Sequence, residues 1–561
     1  MKDFFTQRLK RGLVRRLNNL RIAGVAKLVT RHSPPPSGAP VVFFKASTGI
    51  DDLSWNSGFH LLTSWAFRLQ GIPVVYFACD SGMSHCVLGT DRDNVQKEPP
   101  CRTCIYQSRT LYTGANPHWF TFERDKELER ALANLSVEEL SKFEHVIARS
   151  HKVATKQSPT RDEIASSQST LLAMTVPLGA LCLPGLRWIL RIHHLSDDED
   201  TRYLLREYIL SAWNVAQKFD ALLEETQPRA VVVFNGQFFP EATARFLALK
   251  RGIRVITHEV GLQPASAYFT EGEATAYPIA IPESFEMNAE QNAKLDAYLA
   301  KRFQGDFTMA GIKFWADMKG LDDSFLKKAA GFKQIVPVFT NVIFDTSQPH
   351  ANTVFEDMFD WLDLVLEEIR SHPETLFVIR AHPDELRVRK ASRETVAGWV
   401  EARRVTDLPN VDFVAPNESL SSYELILKSK FVMVYNSTIG REASIMGTAV
   451  LCAGKARFTQ YPTVFFPQTM EEVRRTMKEF LAAEKIDVPL EFKRNARRFL
   501  YYQLFRTSLP FARFLEPSVR TTQTRLKLFA LEELLETDAI KAILDGVLNG
   551  GDFLLKESNV N

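Results

Sequence analysis

Residues 431–454 read FVMVYNSTIGREASIMGTAVLCAG, and earlier in the chain residues 376–385 read LFVIRAHPDE. In the first stretch, 431–435 is a short apolar run of strand type, and Asn436-Ser437-Thr438 breaks it with residues that cap helices. Residues 440–446 carry helical patterning and 448–452 are apolar again, so the spacing predicts strand, helix and parallel strand. The hydroxyls of Ser437 and Thr438 fall where the strand hands over to the helix, and there unpaired backbone N–H groups and the positive helix end favour a phosphate. Open parallel sheets bind ligands at the carboxyl ends of their strands. Glu442, inside the same helix, is placed to accept hydrogen bonds from a ribose, which gives a nucleotide site in outline.

The second stretch supplies a strand, 377–380, that ends in Ala381-His382-Pro383-Asp384-Glu385. A proline directly after His382 biases that residue toward extended backbone and leaves its imidazole at the strand tip, within reach of a diphosphate or phosphodiester. A lone histidine in such a place more often only caps a loop. Arg380 beside it, and the Ser437-Thr438 turn on a neighbouring strand, favour a phosphate contact, where both side chains would stabilise charge on a departing phosphate.

The His-Pro pair, the later Ser-Thr pair, the helix with Glu442, and Gly447 with Val450 together resemble the bacterial capsule polysaccharide biosynthesis proteins. That group contains Kdo transferases and is related to bacterial sialyl- and polysialyltransferases of GT-B fold. The resemblance extends to FTNVIFDT at 339–346, which implies that Asn341 and Asp345 stand at the cleft, and it is clearest over 336–467. It implies two Rossmann-like domains facing a cleft and sugar transfer from a nucleotide-sugar donor, with a CMP-linked acidic sugar such as Kdo or sialic acid favoured. Chemistry without a metal is also implied, since protein donors take its place.

The related transferases draw their general base from an acidic-acidic-Gly motif, and this sequence has no clean copy of it. The nearest matches are His258-Glu259-Val260-Gly261 and Glu271-Gly272-Glu273. The strand-helix-strand pattern from 230 to 257, closing in an acid and a glycine, is also similar to the N-domain of UDP-GlcNAc 2-epimerases. Those enzymes need an aspartate where Gln237 stands here, and an amide cannot move a proton. Glu259 is the first choice for a general base and Glu271 the next; ordinary surface placement stays open for both.

Composition agrees with a two-domain α/β chain: 561 residues, 45% hydrophobic and 24% charged, with a formal net charge of +2. The charge is unevenly spread. Residues 1–33 hold nine Lys or Arg against Asp3 alone, and Phe5, Leu9, Leu13, Leu17 and Leu20 recur between them at helical spacing. Such a helix suits an anionic membrane surface, or else packs its stripe on the protein's own body, and the pattern leaves both open. No apolar stretch has the form of a secretory signal. Residues 171–186 lack charge for sixteen residues, but prolines and glycines interrupt them and they fall short of the roughly 20 that a spanning helix needs, so they are expected to be buried or interfacial.

Six cysteines without a signal peptide fit a reducing compartment. Four of them, Cys79, Cys86, Cys101 and Cys104, lie close in sequence, the last two as CRTC. They are a candidate set for a structural zinc ion, with ordinary buried or loop thiols as the alternative. In the N-terminal half, past Pro34-Pro35-Pro36, strand 41–45, helix 59–69 and strand 73–78 repeat the parallel pattern. The loop between the first two opens toward any interdomain cleft, which makes Asp51 and Asp52 candidate acceptor-binding or basic groups and, equally, ordinary loop acids.

The expected organisation is a basic amphipathic segment at 1–35, an acceptor domain at 36–300, a nucleotide-sugar-binding domain at 301–480, and helices at 481–561. In GT-B enzymes the final helix crosses back to the first domain, and the aromatic-basic stretch 497–514 is suited to that or to a membrane contact. Nothing in the sequence has the form of a nucleic-acid module. The expectation is therefore a cytoplasmic glycosyltransferase, peripheral on the inner face of the cytoplasmic membrane, that builds a surface polysaccharide or glycolipid. Glu259 and His382 are the expected catalytic pair, and Asn341, Asp345, Arg380, Ser437, Thr438 and Glu442 the further donor contacts. A 2-epimerase-like enzyme and a non-catalytic assembly protein of the same fold are the alternatives.

Overall fold

The computed structural model describes residues 2–45, 49–50, 52–149, 172–304, 320–387 and 391–557. Two sheets organise them. The first runs, edge to edge, Leu509–Pro510, Ser266–Glu271, Arg254–Val260, Ala230–Phe234, Val41–Lys45, Val74–Cys79 and His118–Phe120. Its last five strands are parallel neighbours, whereas Ser266–Glu271 and Leu509–Pro510 join antiparallel. The second sheet is parallel throughout, in the order Val411–Val414, Thr375–Arg380, Gln334–Phe339, Val432–Val434 and Val450–Cys452.

Numbered along the chain, the parallel strands of both sheets follow the order 3-2-1-4-5, the doubly wound pattern. The sequence explains why these strands are apolar runs rather than alternations. In Val41–Lys45, Val42 and Phe44 enter one core while Val41 and Phe43 enter the core on the opposite face. Thr375–Arg380 does the same with Phe377 and Ile379 against Leu376 and Val378. Helices cover both faces of each sheet, so side chains of both parities must be buried. This is the GT-B arrangement of two Rossmann-like domains across a cleft.

The chain returns to the first domain at its C-terminal end. Leu509–Pro510 extends the first sheet, and Ile540, Ile543 and Val547 of the helix Asp538–Asn549 bury themselves in the core that holds Phe59 and Trp65. The N-terminal helix, Lys2–His32, packs on the same core through Ile22, Val25, Ala26 and Val29. That face is one-sided. Leu13, Leu17 and Leu20 are 60%, 55% and 64% exposed, so this part of the apolar stripe does not pack on the protein's own body. The side chains of Phe5 and Leu9 lie outside the described residues.

The uncharged run divides into the strand Leu172–Val176, paired antiparallel with His145–Arg149, and the helix Leu178–Leu190, whose Leu178, Cys182 and Leu186 are fully buried. Among the described residues no helix is long and apolar enough to cross a membrane.

Candidate active site in the interdomain cleft

In a 3-2-1-4-5 sheet the loops after strands 1 and 4 diverge and leave a crevice between them. In the second domain these are the loops after Phe339 and Val434, and they carry Asn341, Asp345, Asn436, Ser437 and Thr438. All five line a cavity of about 680 Å³ between the domains, together with His382 and Asp384 from the tip of Thr375–Arg380. The loops are tied to each other. The Asn436 N–H donates to Asn341 Oδ1 at 3.4 Å, and Asn436 Nδ2 donates to Ser347 Oγ at 3.2 Å.

His382 keeps extended backbone and opens the short 3-10 turn Pro383–Leu386, where its Nδ1 accepts the Asp384 N–H at 3.2 Å. A neutral imidazole held in this way carries its proton on Nε2, as a donor. Burial, ahead of repulsion from Arg380, holds its pKa below the usual histidine value, so the neutral ring is favoured. The helix Ile439–Met446 begins after Thr438, whose hydroxyl makes no capping bond, and it ends at Gly447, whose φ of +92° lies in the left-handed region that a glycine adopts without strain.

The sequence reading missed most of the positive charge here. Arg191, Arg387, Lys455 and Arg457 line the same cavity, against Asp345 and Asp384. Arg191 comes from the first domain, at the end of the helix Leu178–Leu190. Its guanidinium lies 4.0 Å from the Trp188 ring centroid and 5.0 Å from that of Phe344, and burial lowers its pKa to about 10. Arg457 stacks over Tyr277 at 5.0 Å. No motif marks these residues, and only the sheet order brings them together.

Four of the expected residues are placed elsewhere. Glu442 is 1% exposed and does not face the cavity; it accepts from Tyr423 Oη at 2.6 Å and pairs with Arg302 at 2.6 Å, with Arg441 at 3.7 Å. It ties its helix to Ala289–Phe303 and is not free for a ribose. Arg380 is buried and donates to the Leu420 carbonyl, away from the cavity lining. Asp52 is buried under the N-terminal helix, where it accepts from the Leu53 N–H at 2.8 Å, Ser518 Oγ at 3.2 Å and Asn18 Nδ2 at 3.4 Å. Glu271 points to the far end of its strand and pairs with Arg254 at 2.6 Å. Asp51 lies outside the described residues.

Glu259, near the carboxyl end of the first-domain strand Arg254–Val260, is not among the residues that line this cavity. Its carboxylate accepts from Asn235 Nδ2 at 3.1 Å, Asn56 Nδ2 at 3.3 Å and the Val260 N–H at 3.1 Å. Burial raises its pKa, against these hydrogen bonds and the nearby Arg457. Glu273 is held by Gln237 Nε2 at 2.6 Å and by Arg245, and it lies 3.3 Å from His350 Nε2, a residue of the cavity wall.

An ion-pair clamp crosses the cleft. His194 of the first domain meets Asp357 at 2.8 Å through Nε2 and Glu394 at 2.5 Å through Nδ1, while the N–H groups of His193 and His194 also donate to Glu394. His193, His194 and Asp357 bring donor atoms within 4.8 Å of one another, but both ring nitrogens of His194 already hold carboxylates, as an imidazolium does. Those hydrogen bonds raise its pKa from 6.5 to about 10. The clamp should therefore stabilise the native state fully below pH 6.5 and lose that contribution as pH rises through about 10. The difference in Tm between the native protein and His194→Ala should shrink over that interval, and a constant difference would show that His194 contributes by packing alone.

No family model matches the chain. Protein FixF of Sinorhizobium fredii (strain NBRC 101917 / NGR234) is 26% identical over 228 residues, 40% of this chain and 48% of that protein. The chain thus spans about half the length of the curated relative it matches. Among solved structures, KpsC, beta Kdo 2,4 transferase, from Thermosulfurimonas dismutans is 12% identical and aligns over 55% of this chain and 87% of its own, with a TM-score of 0.33. The beta Kdo 2,7 transferase of the same organism is 16% identical over 57% and 87%, with a TM-score of 0.30. UDP-GlcNAc 2-epimerase from Neisseria meningitidis bound to UDP-GlcNAc is 15% identical over 52% and 80%, with a TM-score of 0.25. Alignments at these scores carry no argument about chemistry.

Proposed function

We propose that the protein is a glycosyltransferase that takes a nucleotide sugar in the interdomain cleft and transfers the sugar to a surface polysaccharide or glycolipid. The observation that carries this reading is the convergence of Ser437, Thr438, His382 and Asn341 with Arg191, Lys455 and Arg457 on one cavity at the second-domain crevice. A diphosphate or phosphodiester matches that lining, because a helix start and several cations meet there. The excess of cations over acids also suits a donor whose sugar bears a carboxylate, so a CMP-linked acidic sugar is favoured.

In this mechanism the acceptor hydroxyl attacks the anomeric carbon while Glu259, its pKa raised by burial, removes the hydroxyl proton. The bond from the anomeric carbon to the phosphate oxygen breaks as the new bond forms. The Nε2–H of His382, the hydroxyls of Ser437 and Thr438, and Arg457 stabilise the phosphate that leaves. Protein cations supply this stabilisation, and no step calls on a metal ion.

A thermal-shift screen with CMP, UDP, GDP and their sugars tests the reading, because a ligand that binds only the folded state raises Tm. A shift with a nucleotide, followed by transfer to an acceptor, supports it. Conversion of a UDP-sugar with no acceptor present would favour the epimerase reading instead, with Glu273 of the first domain beside His350 of the second, 3.3 Å apart, as the titratable pair. No shift with any nucleotide would overturn both readings.

Replacing Ser437 and Thr438 together by Ala removes two hydroxyl donors at about 0.5–1.5 kcal/mol each, so nucleotide affinity should fall roughly tenfold or more in calorimetry. Unchanged affinity would move the phosphate elsewhere in the cleft.

The acceptor side of the proposal includes a membrane contact. Leu13, Leu17 and Leu20 are exposed, beside exposed Lys10 and Arg16 on the same helix, and each basic residue near an anionic surface contributes about 1 kcal/mol. Co-sedimentation should need anionic lipid, weaken with salt, and fall when Leu13, Leu17 and Leu20 are all replaced by Ser. Retention of the protein in the supernatant at low salt would remove the anchor.

A further inference from the structure

Among the cations that line the interdomain cavity, Arg191 is held in an unusual way. It follows the helix Leu178–Leu190 with a φ of +65°, in the left-handed region that favours glycine and holds an arginine only at a cost. Two attachments to the second domain fix it there. Its carbonyl accepts the Arg393 N–H at 3.0 Å and the Glu394 N–H at 3.4 Å, and its guanidinium carbon stands over the Phe344 ring as well as over Trp188. The first domain thereby carries a cation into the crevice of the second.

That charge is not matched within the protein. Arg191 is 4% exposed, and its Nε is buried without an acceptor. The two acids that act on it are engaged elsewhere, Asp384 with Arg387 at 3.7 Å and Asp345 with the Ser347 hydroxyl at 2.9 Å. Its other charged neighbours, Arg92 and Arg387, repel it. Burial, ahead of this repulsion, lowers the pKa only to about 10, so at neutral pH the guanidinium is charged. A buried cation without a carboxylate is costly to keep, and in a cleft wall a ligand can bring the missing counter-charge.

The surroundings of the guanidinium select the anion. Trp188 and Phe344 stand against its carbon at 4.0 and 5.0 Å, which leaves the N–H groups at its edge as the donors toward the cavity. Two parallel N–H groups in one plane match the two oxygens of a carboxylate, a pairing that a lysine ammonium cannot reproduce. The phosphate of a nucleotide already has donors of its own in Ser437, Thr438 and His382, all on loops of the second domain. Arg191, entering from the opposite domain, is left for a second anionic group.

We propose that Arg191 is a specificity-determining residue of the site, pairing through its guanidinium edge with the carboxylate of an acidic donor sugar. The inference rests on the cleft binding a nucleotide sugar, and it adds that the donor is chosen in part by the domain expected to hold the acceptor. Phe344 and the backbone of residues 393–394 hold Arg191 in place, so the pairing exists only while the first domain is docked on the second.

Calorimetric titration of the full chain with CMP, CMP-sialic acid, CMP-Kdo and the carboxamides of both sugar nucleotides tests the assignment. In the native protein an acidic sugar nucleotide should bind more tightly than CMP, and conversion to the carboxamide should remove that gain. Arg191→Gln should lower the ratio of acidic-sugar to CMP affinity by roughly tenfold to a hundredfold, the scale of a lost charge-assisted pair, and Arg191→Lys should keep only part of the ratio. Should these variants fail to fold, the carboxamide comparison on the native protein decides. UMP and UDP form a second arm: if Arg191→Gln removes the gain of UDP over UMP instead, the guanidinium reads a second phosphate and the assignment falls. It falls as well if acid and carboxamide bind alike, or if folded Arg191→Gln keeps the native ratio. A native protein that takes UDP-sugars and no CMP-sugar would overturn the inference and leave sugar transfer standing, whereas no binding of any nucleotide would overturn both.

Discussion

Glu442→Ala is expected to lose roughly 3–5 kcal/mol of stability, the scale on which removing one partner leaves a buried charge uncompensated. Arg302 and Glu442 are 4% and 1% exposed, and Arg441 beside them is 2% exposed, so deleting the carboxylate strands two guanidinium groups without solvent. The same change removes the acceptor of the Tyr423 hydroxyl. Calorimetric unfolding should show Tm falling by on the order of 10 °C. Nucleotide affinity measured well below that transition should stay close to native, because the carboxylate does not line the cleft. The reverse pattern, an unchanged Tm with weakened nucleotide binding, would return Glu442 to a ribose contact and overturn its structural role.

His382→Ala is expected to lower turnover by roughly 10²–10³, the cost of removing one preorganised donor to a charge that develops in the transition state. The variant should fold, since His382 stands at a strand tip and accepts the Asp384 N–H within its own short turn. Substrate affinity should change less than turnover if the ring acts mainly on the departing phosphate. Activity within a few-fold of native would remove His382 from the mechanism and leave the cationic wall of Arg191, Lys455 and Arg457 as the stabilising element.

The sequence alone was enough for the elements of the second domain and for part of its site. Apolar runs of five or six residues, broken by Asn-Ser-Thr or by Ala-His-Pro, can hardly be anything but buried parallel strands with polar tips, and tips of adjacent parallel strands share an edge by geometry. Hence His382, Ser437 and Thr438 were legible from the pattern, Asn341 and Asp345 from the resemblance carried by 339–346, and all five line the cleft. The four cysteines could be gathered by their spacing, and all four line one small cavity of the first domain. Other decisions were tertiary. Glu442 and Arg380 lie beside site residues in sequence, but a helix turns successive side chains by 100° and a strand alternates them, so a neighbour of a ligand can face the core; both do, and each found a buried partner there. Asp52 was claimed by the N-terminal helix and by Ser518, far away along the chain. Arg191 entered the site only because the first domain closes on the second. Local pattern determines which backbone groups need partners; which charges meet across a cleft depends on packing between segments hundreds of residues apart, and no periodicity records that.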